Sequence, residues 1–456
     1  MTVIKQTKEK PIDPNENALN IKVSTASLLK YALPTILSNI FMNIYSIVDQ
    51  LFVSNLLGTD ALSAVSIAGP FLAIALAIGT MIATGGCALV SNQMGEGQVQ
   101  KARQNFSFFM LFSVLISTAF CIAGIVFRTP ILYAMGADAS LYSLCEAYAV
   151  PIFLLIPFAT ISIVLQIFFV AAGKPGLGFG LSVAGGVTNI VLDYVLIAVI
   201  PLGVAGAAYA TAAGYVLQSV IGVIFFTNRK GSLYFVRPKF DGKALLKACS
   251  NGMSEMVGML AITVTMIAIN VILMNLVGAD GVAAAAIILS AQTILSASYA
   301  GYVQGIAPVV SYHYGAENFT ELKALYRVAL KTVAVMSVFT FVIAFPPARP
   351  IARLFAEGSE TVVDMAVRGT FIFAAAFLLM GFNLFASGFF TALNDGKTSA
   401  VLSLFRTLVF LIIPLIILPK LCGVDGVWVS MPAAEVLSIL LSVFYFRHLK
   451  DKYHYA

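Results

Sequence analysis

The chain has 456 residues, of which 60% are hydrophobic and only 11% are charged. A soluble protein carries roughly 25% charged residues, so this composition excludes a water-soluble fold and predicts a helical membrane protein. A transmembrane β-barrel is excluded too, because its strands are weakly alternating segments of about 10 residues. Membrane topology explains the net charge of +6, and we expect no nucleic-acid partner.

The N-terminal segment, residues 1–30, is polar and has no apolar core. It predicts a disordered cytoplasmic tail and not a cleaved signal peptide. The five cysteines are scattered, without a CxxC motif or a His/Cys cluster. We therefore expect neither a disulfide framework nor a transition-metal site.

Twelve apolar segments follow, each long enough to cross a bilayer as a helix. Several exceed about 20 residues, which implies helices that tilt or extend beyond the bilayer. The predicted spans are 31–53, 61–92, 105–127, 146–171, 178–200, 204–227, 246–275, 281–312, 328–346, 364–392, 399–419 and 426–446.

Lys and Arg are concentrated in alternate connections between the spans. The loop at 228–245 and the tail at 447–456 are rich in both, whereas the connections at 58–61, 201–206 and 278–281 contain neither. By the positive-inside rule, both termini are expected in the cytoplasm. The chain should then be a multi-pass protein of the cell membrane (plasma or inner membrane), in contact with membrane lipids.

The second half of the chain repeats the first at a nearly constant spacing. NLLGTDALSA, which begins at Asn55, aligns with NLVGADGVAA, which begins at Asn275. GVAG at Gly203 aligns with GVDG at Gly423. A spacing that holds over half the chain indicates an internal duplication.

The duplication predicts two lobes of six helices each. The predicted domains are a tail at 1–30, a first lobe at 31–227, an interlobe loop at 228–245, a second lobe at 246–446 and a tail at 447–456. Because each lobe has an even number of spans, both have the same orientation. Parallel repeats of this kind are a transporter architecture, with the substrate path between the repeats.

Four stretches resemble a known family: residues 43–70, TNIVLDYVLI in the fifth span, GVAGAAYAT at 203–211 and GFFTALNDGKTSA at 388–400. In this order they resemble multidrug and toxic compound extrusion (MATE) transporters, closest to the DinF- and MepA-like branches. The resemblance covers nearly the whole chain. It implies an all-α, V-shaped MOP-type fold that exports amphipathic, mostly cationic drugs or dyes against H⁺ or Na⁺, with no enzymatic activity and no cofactor.

The resemblance also implies which residues couple transport to the cation. Asp49, late in the first span, and the Asn-x-x-x-Asp pattern of Asn189 and Asp193 match the family's coupling positions. Other branches carry further acids in the seventh and tenth helices. Here the tenth span has Asn383 and no mid-span carboxylate, which weakens the case for a second coupling site in the C-terminal half.

Helix geometry places these residues at one depth. Asp49 lies about 18 residues and Asp193 about 15 residues into its span, or about 22–27 Å from the cytoplasmic edge at 1.5 Å per residue. Asn189 and Asp193 share one helix face because they are four residues apart. An acid at this depth costs several kcal/mol, but two carboxylates and an amide could hold a proton or ligate Na⁺. The alternative roles are interhelical packing for Asn189 and Asp193 and solvation for Asp49.

Glu255 in the seventh span and Arg406 in the eleventh lie at similar depth in the second half. Because buried charges usually pair, the simplest expectation is a structural ion pair between them. The alternative makes Glu255 a cation-attracting group or gate on the drug path.

Uncharged polar residues within the spans are further candidates for the substrate path. Asn43 and Tyr45 flank Asp49 and could extend its hydrogen bonds. For the others, packing between helices is the simpler role. They are Gln166, Asn270 and Asn383.

Two other functions stay open at this point. A flippase for lipid-linked oligosaccharides or polysaccharides could share the architecture. It would be expected to have a strongly basic central cavity for the pyrophosphate, whereas Arg406 is the only Lys or Arg deep in a span. An intramembrane enzyme is less favoured because HExxH is absent, and the missing GxxxxGK[ST] gives no support to ATP-driven export. We expect a monomer that handles small amphipathic or cationic compounds.

Overall fold

A computed structural model describes residues 17–229, 231–356 and 359–456. Most of the predicted N-terminal tail therefore lies outside the described residues. The described part of the chain is all-α. Twelve of its helices are long and apolar enough to cross a membrane, which confirms the predicted all-α fold with twelve transmembrane helices.

Each half of the chain contributes six spanning helices and one short helix after the third. In the first half the spanning helices are α1 (Thr25–Leu57), α2 (Asp60–Gly95), α3 (Val99–Val126), α5 (Tyr142–Ala171), α6 (Pro175–Val199) and α7 (Val204–Thr227). In the second half they are α8 (Gly242–Val277), α9 (Ala279–Gly315), α10 (Phe319–Ile343), α12 (Glu360–Ala392), α13 (Gly396–Cys422) and α14 (Val424–Tyr453). The short helices are α4 (Arg128–Ala134) and α11 (Ala348–Phe355). We call α1–α7 the first lobe and α8–α14 the second lobe.

Several helices extend beyond the predicted spans. Helix α1 begins inside the segment predicted as a tail, α8 begins inside the predicted interlobe loop, and α14 continues to Tyr453. These extensions are polar, so the apolar pattern does not reveal them. N-cap side chains mark the start of two of them: Asp241 accepts a hydrogen bond from the Ala244 amide in α8, and Ser24 accepts one from the Ser27 amide in α1.

The fifth spanning helix of each lobe contains a π-helical segment. Helix α6 has Tyr194–Val199, directly after Asp193. Helix α13 has Phe405–Val409, which includes Arg406. Because π-bulges are rare and concentrate at functional sites, both segments mark places where the helix departs from regular packing around a charged residue.

The buried apolar core shows how the two lobes meet. At the end of the bundle where α1 begins and α14 ends, which we call the terminal end, one cluster combines both lobes and includes Leu28 and Tyr302. Towards the far end the described core divides. One cluster there belongs to the first lobe and includes Val53, and another belongs to the second and includes Ile269 and Trp428. The lobes therefore join at the terminal end and separate at the far end, which gives the V shape.

Glycines bring the backbones of the two lobes into contact towards the terminal end. A Cβ atom added to Gly85 of α2 would lie 1.9 Å from the carbonyl oxygen of Ala248 in α8. A Cβ atom added to Gly252 of α8 would lie 1.9 Å from the carbonyl oxygen of Met81 in α2. No larger side chain fits at this crossing unless the helices move apart.

Candidate functional site

A pair of carboxyl groups meets inside the first lobe. Asp193 of α6 is fully buried, with 0% of its surface exposed, and Asp49 of α1 is half-buried. Their side chains lie close enough to interact electrostatically. Two carboxyl groups can form a hydrogen bond only when one of them holds a proton, since an ionised carboxylate only accepts. The structure thus brings together the two acids that the sequence places at one depth.

Oxygen atoms without a hydrogen-bond donor collect at this point. The side-chain oxygens Asp49 Oδ1, Asn189 Oδ1, Asp193 Oδ1 and Asp193 Oδ2 are buried and accept no hydrogen bond from an N–H or O–H group among the described residues. An unsatisfied buried acceptor costs about 1–3 kcal/mol. The cluster is therefore suited to a bound proton or a small cation, which would satisfy several of these acceptors at once.

The donor set for such a cation consists of two carboxylates and one amide. No group of three or more His, Cys, Asp or Glu side chains comes together in the described part of the chain. The Nδ2 atom of Asn189 lies 3.4 Å from Thr211 Oγ1, and this contact leaves the amide oxygen free. A proton or a monovalent cation such as Na⁺ fits this set better than a transition metal, which prefers nitrogen and sulfur ligands.

Three tyrosines surround the acids. Tyr45 of α1, Tyr148 of α5 and Tyr215 of α7 all lie within electrostatic reach of Asp49. From the sequence only Tyr45 is a candidate. Tyr148 and Tyr215 are far from Asp49 in the chain, and only the tertiary structure brings them near it.

A separate cavity lies between the two lobes. It has a volume of about 240 Å³, and its lining includes Asn39 and Thr84 from the first lobe and Glu255, Gln304 and Thr391 from the second. The amide of Asn39 donates to Gln304 Oε1 at 3.2 Å and so links the lobes. Among the described lining residues Glu255 is the only one with a charged side chain, and most of the others are apolar.

The predicted ion pair between Glu255 and Arg406 is wrong. Arg406 Nη2 and Nε donate to Glu435 Oε1 at 2.9 and 3.1 Å, and no ion pair joins Arg406 to Glu255 in the described part of the chain. The physical reason is that Glu255 faces the cavity, whereas α14 presents Glu435 directly to α13. Glu435 is missing from the sequence-based candidates. An acid midway along the predicted span 426–446 is the signal that could have identified it.

Asn383 belongs to the same network. Its Nδ2 atom donates to Glu435 Oε2 at 2.7 Å, and its Oδ1 atom accepts from the Ser442 hydroxyl at 2.9 Å. With 2% of its surface exposed, Asn383 is sealed inside the second lobe. It orients Glu435 and does not line the central cavity.

The remaining candidates from the sequence do not meet at one place. Asn43 Nδ2 donates to the backbone oxygen of Asn39 at 2.8 Å. Gln166 Nε2 donates to two serine hydroxyls inside the first lobe, and Asn270 is half-buried on α8. None of the three is among the described residues that line the cavity.

The sequence model of the MatE family matches the chain twice, over residues 34–195 and 256–417. The first stretch contains the carboxyl pair of the first lobe, and the second contains most of the second lobe. The chain belongs to the MatE family. This membership, with the twelve apolar helices, makes it a multi-pass membrane transporter and rules out the enzyme considered from the sequence.

Relatives support the family assignment over nearly the whole of this MatE protein. The multidrug export protein MepA of Staphylococcus saprophyticus is 24% identical over 430 residues, which is 93% of this chain and 94% of that protein. A crystal structure of MATE in complex with MaL6 matches with a TM-score of 0.91 at 19% identity and covers 97% of this chain and 100% of that one. An outward-facing multidrug resistance MATE transporter of the MOP superfamily matches with a TM-score of 0.90 at 20% identity, covering 96% and 98%. These structures confirm the predicted fold.

Proposed function

We propose that the protein is a secondary active multidrug exporter, which exchanges amphipathic, mostly cationic compounds for H⁺ or Na⁺ by alternating access. The observation that carries the proposal is the presence of two distinct places suited to cations. One is the group of unsatisfied oxygens at Asp49, Asn189 and Asp193 inside the first lobe. The other is the cavity between the lobes that contains Glu255.

The central cavity suits the exported compound. Binding pockets for small molecules are mostly apolar, with a few polar groups that fix orientation. Here an apolar lining meets the apolar part of an amphipathic compound, and Glu255 attracts its positive charge. An acid in a membrane-spanning segment is a functional residue by default. The MepA relatives are multidrug export proteins, which supports this class of substrate.

The carboxyl pair suits the coupling cation. A ligand shifts a conformational equilibrium only by its different affinity for the two states. A proton or Na⁺ that neutralises Asp49 and Asp193 would favour the state in which the compound is released, and loss of that cation would favour the state that binds it. Either cation can satisfy the carboxyl oxygens that lack a donor, and Na⁺ would in addition use a neutral oxygen ligand such as Asn189 Oδ1.

The state of the transporter follows from its orientation. With both termini in the cytoplasm, as the positive-inside rule predicts, the terminal end closed by Gly85 and Gly252 is the cytoplasmic end. The open far end then faces outwards. In this state the compound leaves and the coupling cation enters, and the protein acts as a monomer among membrane lipids.

A flippase for lipid-linked sugars is less well supported. A pyrophosphate group needs Lys or Arg, and none is found among the described residues that line the cavity. Arg406 is the basic residue deepest in a span, and Glu435 neutralises it.

The proposal is tested by efflux of a fluorescent cationic dye from proteoliposomes with an imposed pH or sodium gradient. We expect wild type to move dye against its gradient and Asp193→Asn to lose this coupling. Asp60→Asn is the matched control, since Asp60 is an exposed acid at the start of α2. Gradient-driven efflux by Asp193→Asn at the wild-type rate would overturn the proposal.

A further inference from the structure

We propose that a polar stripe along α6 is the route by which the coupling cation leaves the carboxyl pair towards the terminal end. This route lies inside the first lobe, apart from the central cavity between the lobes. This inference rests on the proposed function, because it needs Asp49 and Asp193 to exchange a cation. It adds a path and a relay residue, Ser182, to the site described above.

The stripe occupies one face of a single helix. Ser182, Asn189 and Asp193 are separated by seven and four residues, so they lie one above another on α6. All three are buried, with 1%, 2% and 0% of their surfaces exposed. At 1.5 Å per residue the stripe is about 16 Å long and runs from the carboxyl pair towards the start of α6.

Three side chains from three helices form a polar cluster at the terminal end of the stripe. The Ser38 hydroxyl of α1 lies 2.7 Å from the Ser182 hydroxyl, and Gln166 Nε2 of α5 lies 2.7 Å from both. Ser182 can also donate to the backbone oxygen of Gly178 at 3.0 Å. Such hydrogen bonds hold helices together, and the same groups offer a moving cation successive donors and acceptors.

Gln218 of α7 fills the gap between this cluster and Asn189. A Cβ atom on Gly185 would lie 2.0 Å from Gln218 Nε2, so the glycine makes room for the amide on the stripe. Gln218 Oε1 accepts a hydrogen bond from Ser162 at 2.8 Å. Polar groups thus recur about once per helical turn along α6, from Ser182 past Gly185 and Asn189 to Asp193.

The Asp193 end of the stripe has oxygen atoms that a ligand could satisfy. The oxygens of Asp193 and Asn189 are buried and accept no hydrogen bond from a donor among the described residues. The hydroxyl groups below them can accept one proton while donating another, the amides can hold these hydroxyls in place by hydrogen bonds, and the oxygens of both can ligate Na⁺. The stripe therefore serves either cation with the same side chains.

A route inside the lobe is needed because the terminal end is closed between the lobes. Helices α2 and α8 touch there through Gly85 and Gly252, and the cavity beside them is the proposed place of the exported compound. Alternating access requires that the cation be released on the side opposite to its entry. Separate paths let the two ligands pass without competing for one space.

Ser182→Val tests the route. We compare it with Thr188→Val, a matched control on the same helix whose hydroxyl donates to the backbone of Ala184 and lies off the stripe. Two quantities are measured: dye efflux from proteoliposomes, with a pH gradient in one arm and a sodium gradient in the other, and displacement of bound dye by H⁺ or Na⁺ in detergent. Ser182→Ala, which adds no bulk, replaces the valine variant if that variant does not fold.

We expect Ser182→Val to slow efflux about tenfold, as the loss of one hydrogen bond from a rate-limiting step would do, with no change in the displacement curve. Ser182→Thr should restore the rate because it keeps the hydroxyl. Efflux by Ser182→Val at the rate of Thr188→Val would overturn the route, as would a shift of its displacement curve in step with the rate. If Asp193→Asn and Ser182→Val both keep the wild-type rate, the proposed function itself fails. If Ser182→Val keeps the rate and Asp193→Asn loses it, only the proposed route fails.

Discussion

Arg406 and Glu435 form a two-point ion pair inside the second lobe, with Arg406 Nη2 2.9 Å from Glu435 Oε1. In the repeat, Glu435 stands where the first lobe has Tyr215, since each follows its GVxG sequence by the same number of residues. The second lobe thus contains a fixed guanidinium cation, whereas the acids of the first lobe have none. We therefore expect only the first lobe to take up a coupling cation.

Arg406→Met should destabilise the protein by about 3–5 kcal/mol, because it leaves the Glu435 carboxylate buried and unpaired. Its free energy of unfolding in detergent measures this. The double variant Arg406→Met/Glu435→Gln should recover part of the loss, since it removes both charges of the pair. A double variant whose losses simply add would show that the two residues do not act together.

Glu255→Gln should weaken the binding of a monovalent cationic dye about tenfold or more and leave an uncharged dye of similar size unaffected. The reason is that Glu255 supplies the charge of the cavity, and an interaction with a charged group contributes about 1.5–3 kcal/mol. Equilibrium dye binding to purified protein measures both. Glu317→Gln, at an exposed acid after α9, is the control. Equal losses for both dyes would speak against a charge-based role.

Asn189→Ala should distinguish the two coupling cations. A proton needs only the carboxyl pair, whereas Na⁺ also needs neutral oxygen ligands, and Asn189 Oδ1 is the buried amide oxygen beside Asp193. We expect sodium-driven efflux to fall about tenfold more than pH-driven efflux, in line with the loss of one ligating contact. Equal falls in both arms would show that the amide acts by packing.

Gly85→Ala should shift the protein away from the state described here, because the added methyl group would meet the Ala248 carbonyl oxygen of α8. Distances between spin labels placed on the two lobes at the terminal end should lengthen. Gly69→Ala in the same helix is the control, since a Cβ atom there meets nothing within 4 Å. Unchanged distances in Gly85→Ala would mean that the helix crossing adapts without opening.

The sequence predicts the spans well and the helix ends less well. Helix α10 begins at Phe319, well before the predicted span at 328–346, because its first turns are polar and project beyond the apolar layer. The duplication in the sequence was enough to predict the two six-helix lobes, and helix spacing was enough to predict that Asp49 and Asp193 could meet. Both predictions use residue spacing, because in a helix the number of residues between two side chains fixes their separation along the helix axis.

The partners of charged residues could not be predicted, because partner choice depends on how helices pack. Spacing places Glu255 and Arg406 at similar depth but does not say that Glu255 faces a cavity. Likewise, the π-helical segment around Arg406 and the tyrosines around Asp49 depend on contacts between helices far apart in the chain. Such features become visible only with the tertiary structure.

The apolar cluster shared by both lobes at the terminal end has a consequence for energy use by the cell. Separating the lobes there exposes side chains such as Leu28 and Tyr302 that are now fully buried, at about 25 cal/mol for each Å² of apolar surface. An empty transporter should therefore seldom reopen inwards. Under the proposed antiport, we expect this cost to suppress idle turnover that dissipates the ion gradient until bound cargo offsets the exposed surface.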